Sequence, residues 1–255
     1  MNPTIVGMIA FTCMFGGALF GMWLRSTLPE HHLDAESKDT VKVGIGLIAT
    51  MTALVLGLVT ASAKNSYDAV DSAVKKSASD LLTLDRLLAR YGSETGEIRK
   101  GLKRAIGARM DMIWPQGSSK PTNLDPMRSG AGAEAERIPD TIRALKPRDD
   151  SQRALQSRAL DLTEALLQAR WLVLADSETS VPVPFLVILL FWLTIIFASF
   201  GVFAPRNATV LTVLFVCALS LSSAVFLILE MDTPFGGLLK VSADALRYAY
   251  AHLNQ

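Results

Sequence analysis

Cysteine is almost missing from this 255-residue chain, and the two that occur, Cys13 and Cys217, both lie in uncharged stretches. A thiol placed there meets no oxidising water, so neither a disulfide framework nor a thiolate metal site is expected. A dominant sign of charge is missing too. The 25 Lys and Arg face 24 Asp and Glu, which leaves no long-range field to draw in a nucleic acid. The chain also lacks a GxxxxGK phosphate loop, a GxSxG elbow and an HExxH helix, and no nucleophile stands at a readable spacing from a base. The expectation is a protein that is not an enzyme and takes no cofactor.

Charge is absent altogether from four blocks, residues 5–24, 43–63, 181–204 and 208–229, which contain no Asp, Glu, Lys or Arg. Each is about as long as the ~20 helical residues that cross a bilayer. The fold class that follows is an all-α membrane protein with four transmembrane helices and a helical cytosolic domain between the second and third. Its expected divisions are 1–63 for the first two spans, with an extracytoplasmic loop at 25–42, and 64–180 for the cytosolic domain. Residues 181–229 then hold spans three and four, and 230–255 a C-terminal cytosolic helix. Residues 1–4 carry neither Lys nor Arg and no small-residue cleavage pattern follows, so the first block is expected to be retained as a span and not removed as a signal peptide.

Four spans put the N-terminus, the central segment and the C-terminus on one side of the membrane. That side holds 21 of the 25 Lys and Arg, which favours the cytoplasm, and near the membrane ends Lys64, Lys75, Lys76 and Arg170 lean the same way, opposed by Arg25, Lys38 and Lys42.

The central segment carries helical periodicity. Tyr67, Val70, Val74, Ser77, Leu81, Leu84, Leu88 and Tyr91 repeat at spacings of three and four, which predicts a helix running on from the second span and stopping at Gly92. A second stripe, Ile98, Leu102, Ala105, Ile106, Met110 and Ile113, ends before Pro115. A third, capped by Asp150 or Ser151, runs through Leu155, Ala159, Leu162, Leu166, Ala169 and Val173. Between the second and third, residues from about 115 to 137 are rich in Pro, Gly and Ser and read as a flexible loop.

Two places could carry function. The first is LPEHHLDAESKD between spans one and two, where Glu30, His31 and His32 stand at an extracytoplasmic mouth. Adjacent histidines point ~100° apart on a helix and to opposite faces of a strand, which is poor spacing for one metal. The open readings are loop ordering, a pH-sensitive mouth, and, last, a metal site. The second is in the second span, where Gly46, Thr50, Ala53, Gly57, Thr60 and Lys64 recur every four or three residues on one face. Small side chains there either let a neighbouring helix approach closely or leave room for water and an ion beside the hydroxyls. Lys64 stands where this face reaches the cytoplasm, either as a snorkelling lysine or as part of a positive ring that favours anions.

Past the fourth span, Asp232 or Thr233 followed by Pro234 gives a helix-start signal. Asn207-Ala208-Thr209 fits a glycosylation pattern but lies in a short loop against the bilayer, where modification is not expected.

LPEHHL followed by SKDTVKVGIGLIATMTALVLGLVTASAKNSYD, and later LEMDTPFGGLLKVS, resemble the signatures of the bestrophin-like domain proteins, a bacterial membrane family. Bestrophins are homopentameric anion channels with four spans, cytosolic termini and a helical cytosolic domain. The resemblance implies a bacterial inner-membrane protein whose partners are the lipid bilayer, small ions and further copies of itself. It also implies that residues 44–63 lie nearest a symmetry axis, with Gly46, Thr50, Ala53, Gly57 and Thr60 facing it. One departure stands out: bestrophin second spans carry an aromatic-rich neck, and residues 43–63 here contain no Phe, Tyr or Trp. The two functions left in view are a homo-oligomeric channel for small anions and a non-conducting membrane scaffold or sensor acting through its cytosolic helices.

Overall fold

The computed structural model describes residues 2–27, 35–114, 130–175, 183–205 and 207–255. Among them there is no strand, and the chain divides into two compact units. An apolar unit comprises Met1–Ser66 and Thr179–Thr233, and a polar unit Tyr67–Glu178 and Pro234–Gln255.

The apolar unit holds α1 (Pro3–Arg25), the first part of α2 (Ala35–Tyr91), α6 (Val183–Phe203) and α7 (Ala208–Met231). All four are long and apolar enough to cross a membrane. Helix α1 starts where the Asn2 side chain accepts a hydrogen bond from Thr4 N at 3.1 Å, with Pro3 in the first turn. Helix α7 starts the same way, with Asn207 Oδ1 accepting from Val210 N at 2.8 Å. Asn207, which fits the glycosylation pattern, is therefore a helix cap.

The core of this unit joins Ala10, Met14 and Ala18 of α1 to Leu189, Leu193 and Phe197 of α6 and to Leu214, Ala218 and Val225 of α7. Phe11, Phe15 and Phe215 form an aromatic trio with centroids 5.4–5.7 Å apart. Helices α1 and α6 meet more closely than ordinary side chains permit. A Cβ added at Gly21 would lie 2.0 Å from Ala198 O, one at Gly201 2.0 Å from Ala18 O, and one at Gly17 3.0 Å from Thr194 O. Lipid tails are as apolar as leucine, so helices in a bilayer gain by close contact of small residues more than by excluding water. At the end of this seam the Arg25 guanidinium donates to Ala204 O.

Helix α2 begins at Ala35, inside the stretch expected as loop, so the connection after α1 is shorter than 25–42. Its charged first turns are held by local pairs such as Lys42–Asp39 at 3.0 Å, a signal that hydropathy alone does not register. The helix has 57 residues. At ~1.5 Å per residue it far exceeds the ~30 Å hydrocarbon layer, so only its uncharged part can lie there.

The polar unit is built around the second part of α2, whose Val70, Val74, Ala78, Leu81, Leu84 and Leu88 are buried, as the periodicity predicts. The helix stops at Gly92, whose φ of 146° is open to glycine. Thr95, in the short 3-10 turn Ser93–Thr95, donates to Leu88 O at 2.6 Å and ties the stop down. Helix α3 (Gly96–Ile113) buries Ile98, Leu102, Ala105 and Ile113. Helix α5 (Asp150–Ala175) is capped one residue earlier than expected, with Asp149 Oδ1 accepting from Gln152 N at 2.7 Å.

Two sequence expectations are corrected here. Helix α4 (Gly130–Arg143) starts within the stretch expected as loop to 137. Its glycines and internal Pro139 hide it, and among its described side chains Ile138 and Ile142, one turn apart, are the buried anchors. The helix expected to start at Pro234 does not form there. Helix α8 (Asp244–His252) starts ten residues later, and between them Val241 N donates to Pro234 O at 2.8 Å while Gly237 takes φ 77°. Burying Phe235 and Val241 outweighs the helix-start signal. Phe235 packs edge-on against Trp114 with centroids 5.6 Å apart, and Trp114 Nε1 donates to Val241 O at 2.9 Å.

Candidate functional site

Residues 43–63 of α2 present three sides. One is a seam on the apolar unit: Thr52 and Ala63 are buried, Val55 and Leu56 pack on the core shared by α1, α6 and α7, and Ala63 closes a second cluster with Ile228 of α7. Thr52, 4% exposed, donates from its hydroxyl to Ile48 O at 2.7 Å, so its burial leaves that hydroxyl satisfied.

The second side is the stripe read from the sequence. Gly46, Thr50, Ala53, Gly57, Thr60 and Lys64 are all exposed. A Cβ at Gly46 or Gly57 would meet nothing within 4 Å. Of the two uses open for this stripe, close packing within the subunit is therefore not the one it serves; Gly17, Gly21 and Gly201 serve that purpose between α1 and α6. Only 11% of the most apolar window of α2 is buried, against 28–33% in the other three spans.

The third side is aliphatic. Leu47, Leu54 and Leu58 are 64–74% exposed. At ~100° per residue, the glycine and threonine stripe is turned ~120° from the Thr52–Ala63 seam, and the leucine ridge stands ~100° further round. From Gly46 to Lys64 the stripe rises ~27 Å, close to the ~30 Å thickness of the hydrocarbon core.

The chemistry of the stripe is mild. Thr50 Oγ1 donates to Leu47 O at 2.8 Å and Thr60 Oγ1 to Leu56 O at 2.7 Å. With their hydrogens held by the helix, the hydroxyls offer oxygen lone pairs and methyl groups outward, and the glycines offer space. Such a surface tolerates water without binding any solute tightly. Lys64 supplies a positive charge at its end, with Asp68 one turn further along the same face. The other residues singled out from the sequence, Glu30, His31 and His32, lie outside the described residues. Among the described residues no three His, Cys, Asp or Glu side chains converge as a metal site would require.

The polar unit has its own charged interior, which sequence reading missed. Asp85, 1% exposed, accepts from Arg99 Nε and Nη2, both at 2.8 Å, and the carboxylate holds the guanidinium above its usual range. The end of the chain lies on the same ground. Arg86 donates to Gln255 O at 3.0 Å, Lys103 donates to Leu253 O at 3.1 Å, and Leu253 is buried. Further along α3, burial first and the charge of Arg170 second push Arg109 down to about 10. The sequence shows Asp85 between two apolar stripe residues, Leu84 and Leu88, and that position is the signal that would have found it.

No curated protein and no solved structure matches the chain closely enough to carry an argument. The family model of the bestrophin-like domain matches residues 12–246, from within α1 through the other three spans to the first residues of α8. Over that extent the chain belongs to the bestrophin-like family, and with its four apolar helices it is a membrane protein.

Proposed function

We propose that the protein is a homo-oligomeric channel for small anions, with the glycine and threonine flank of α2 lining the path. The observation that carries this reading is the exposure of that flank along the whole thickness of a bilayer, on the least buried of the four spans. One copy contributes one such face, and one face cannot enclose water, so the path needs several copies around an axis. Family membership favours five. A wet path explains why α2 keeps Gly46, Thr50, Gly57 and Thr60 at positions where leucine would suit lipid better. Lys64, repeated around the axis, sets a positive ring at one end and draws anions toward it.

In this reading the protein sits in the bacterial inner membrane with the polar unit and both termini in the cytoplasm, and it performs no catalysis. Without aromatic side chains between residues 43 and 63, closure falls to the rings of Thr50, Ala53 and Thr60. The test is ion flux from liposomes carrying the purified protein, under chloride and potassium gradients. Chloride flux that drops relative to potassium flux in Lys64→Glu supports the reading. Absence of flux in the wild type under both gradients sinks it in favour of a non-conducting scaffold.

A further inference from the structure

A ring of identical subunits needs two different surfaces on each copy, because each neighbour is met from the opposite side. One is already apparent. The leucine ridge of α2 is convex, aliphatic and turned ~100° from the flank that lines the path, which points it sideways around an axis. Its two central members, Leu54 and Leu58, are 74% and 65% exposed.

The other surface is a groove of about 400 Å³ between α1 and α7, lined among others by Gly7, Phe11, Ser222, Ser223 and Phe226. Gly7 keeps it open at the point of closest contact, where a Cβ would stand 3.2 Å from Phe226 Cβ. The hydrogens of three lining hydroxyls are held by the helices: Ser222 Oγ and Ser223 Oγ donate to Leu219 O at 2.9 and 2.8 Å, and Thr12 Oγ1 to Met8 O at 2.8 Å, with Ser222 buried and Ser223 and Thr12 exposed. What the groove shows its surroundings is a small, mainly apolar, concave surface suited to branched aliphatic side chains.

Ridge and groove also lie at the same depth. The buried pair Ala63 and Ile228 fixes α2 against α7, and the second and fourth of four alternating spans run in the same direction. Leu58 and Ser223 each precede that pair by five residues, and Leu54 and Leu219 each precede it by nine. Rotation about an axis along the membrane normal leaves every residue at its own depth. Leu58 of one copy is thus carried to the level of Ser223 of the next without sliding either helix.

We propose that Leu54 and Leu58 of α2 seat in the α1–α7 groove of the neighbouring copy, and that this ridge-and-groove contact closes the ring. The inference rests on the oligomeric reading given above and specifies which surfaces meet. A lipid acyl chain would suit the same groove in a detached subunit, and the experiment separates the two occupants.

The test uses the full-length protein in native membranes with Cys13→Ala and Cys217→Ala, carrying Leu58→Cys and Ser223→Cys together. A disulfide needs the two Cβ atoms within about 4 Å, so oxidation captures only a seated contact. The expected result is a ladder of cross-linked species up to the full ring on a non-reducing gel, while each single-cysteine chain gives no species above a dimer. An oligomer of full size that yields no ladder assigns the groove to lipid and overturns the inference. A second variant, Ser223→Trp, fills the groove. It is expected to release subunits with their helical content unchanged, and an undiminished ring would contradict the proposal. Flux without cross-links sinks this interface alone, and cross-links without flux sink conduction alone.

Discussion

Ala63 of α2 and Ile228 of α7 bury one another, at 0% and 3% exposure, in a cluster that includes Leu56, Val59 and Met231. This contact sets the rotation of α2 about its own axis. With Ala63 turned inward, the glycine and threonine flank has to face out of the subunit. Enlarging the residue at this position overpacks the seam and twists that flank away. Ala63→Leu should therefore cost ~1–3 kcal/mol and reduce flux, measured by thermal melting in detergent and by liposome assay on the same preparation.

The α1–α6 seam has no room for a side chain at Gly21 or Gly201. Because the Cβ of residue 21 or 201 would meet a carbonyl oxygen of the other helix at 2.0 Å, Gly21→Ala and Gly201→Ala each have to push the helices apart. A loss of ~2–3 kcal/mol is expected for each, read as a lower melting temperature in detergent. Gly16→Ala, with nothing within 4 Å of its Cβ, should be neutral or slightly stabilising.

The four spans were legible from the sequence because absence of charge over a bilayer's length leaves one stable solution, a helix that satisfies its own backbone. The stripes of α2, α3 and α5 were legible because regular three-and-four spacing survives any tertiary arrangement. Helix α4 was not, since two isoleucines beside Pro139 make no period. Phe235 and Val241 were not, since their pull depends on Trp114, more than a hundred residues away. The stripe from Gly46 to Lys64 was readable as a stripe, but its outward direction was not. That direction is set by Thr52 and Ala63, which look like ordinary small residues until Ile228 is placed against them. The Gly17-x-x-x-Gly21 spacing, by contrast, was present in the sequence and carried the signal for the close helix crossing.

Asp85 and Arg99 form a buried pair with unequal exposure, 1% against 17% for the side chains. Removing the arginine strands a carboxylate with no route to water, while removing the carboxylate leaves a guanidinium that still reaches solvent. Arg99→Met should thus cost ~3–5 kcal/mol and Asp85→Asn somewhat less, measured by denaturant unfolding. The combined Asp85→Leu and Arg99→Met chain should recover part of the loss, because no buried charge is left behind.

Arg109 is pushed down to about 10 by burial and by Arg170, so its charged form weakens the folded state at neutral pH. Between about pH 10 and the ordinary arginine range the unfolded chain binds more protons than the folded one, and stability contributed by this group rises with pH. Arg109→Met should raise stability at pH 7 by on the order of 1–3 kcal/mol and flatten the rise above about pH 10. Melting curves of both proteins across that range would show it.

The central claim is that the Gly57 face of α2 is wet in the assembled protein while the Leu54 face is not. A thiol ionises and reacts in water and stays inert in hydrocarbon or in a packed interface. In a background of Cys13→Ala and Cys217→Ala, the measurement is the rate at which Gly57→Cys and Leu54→Cys react with a small, charged, water-soluble thiol reagent in liposomes. The account predicts that Gly57→Cys reacts at least about tenfold faster and that its modification blocks chloride flux. Equal protection of both positions in the intact oligomer would contradict it.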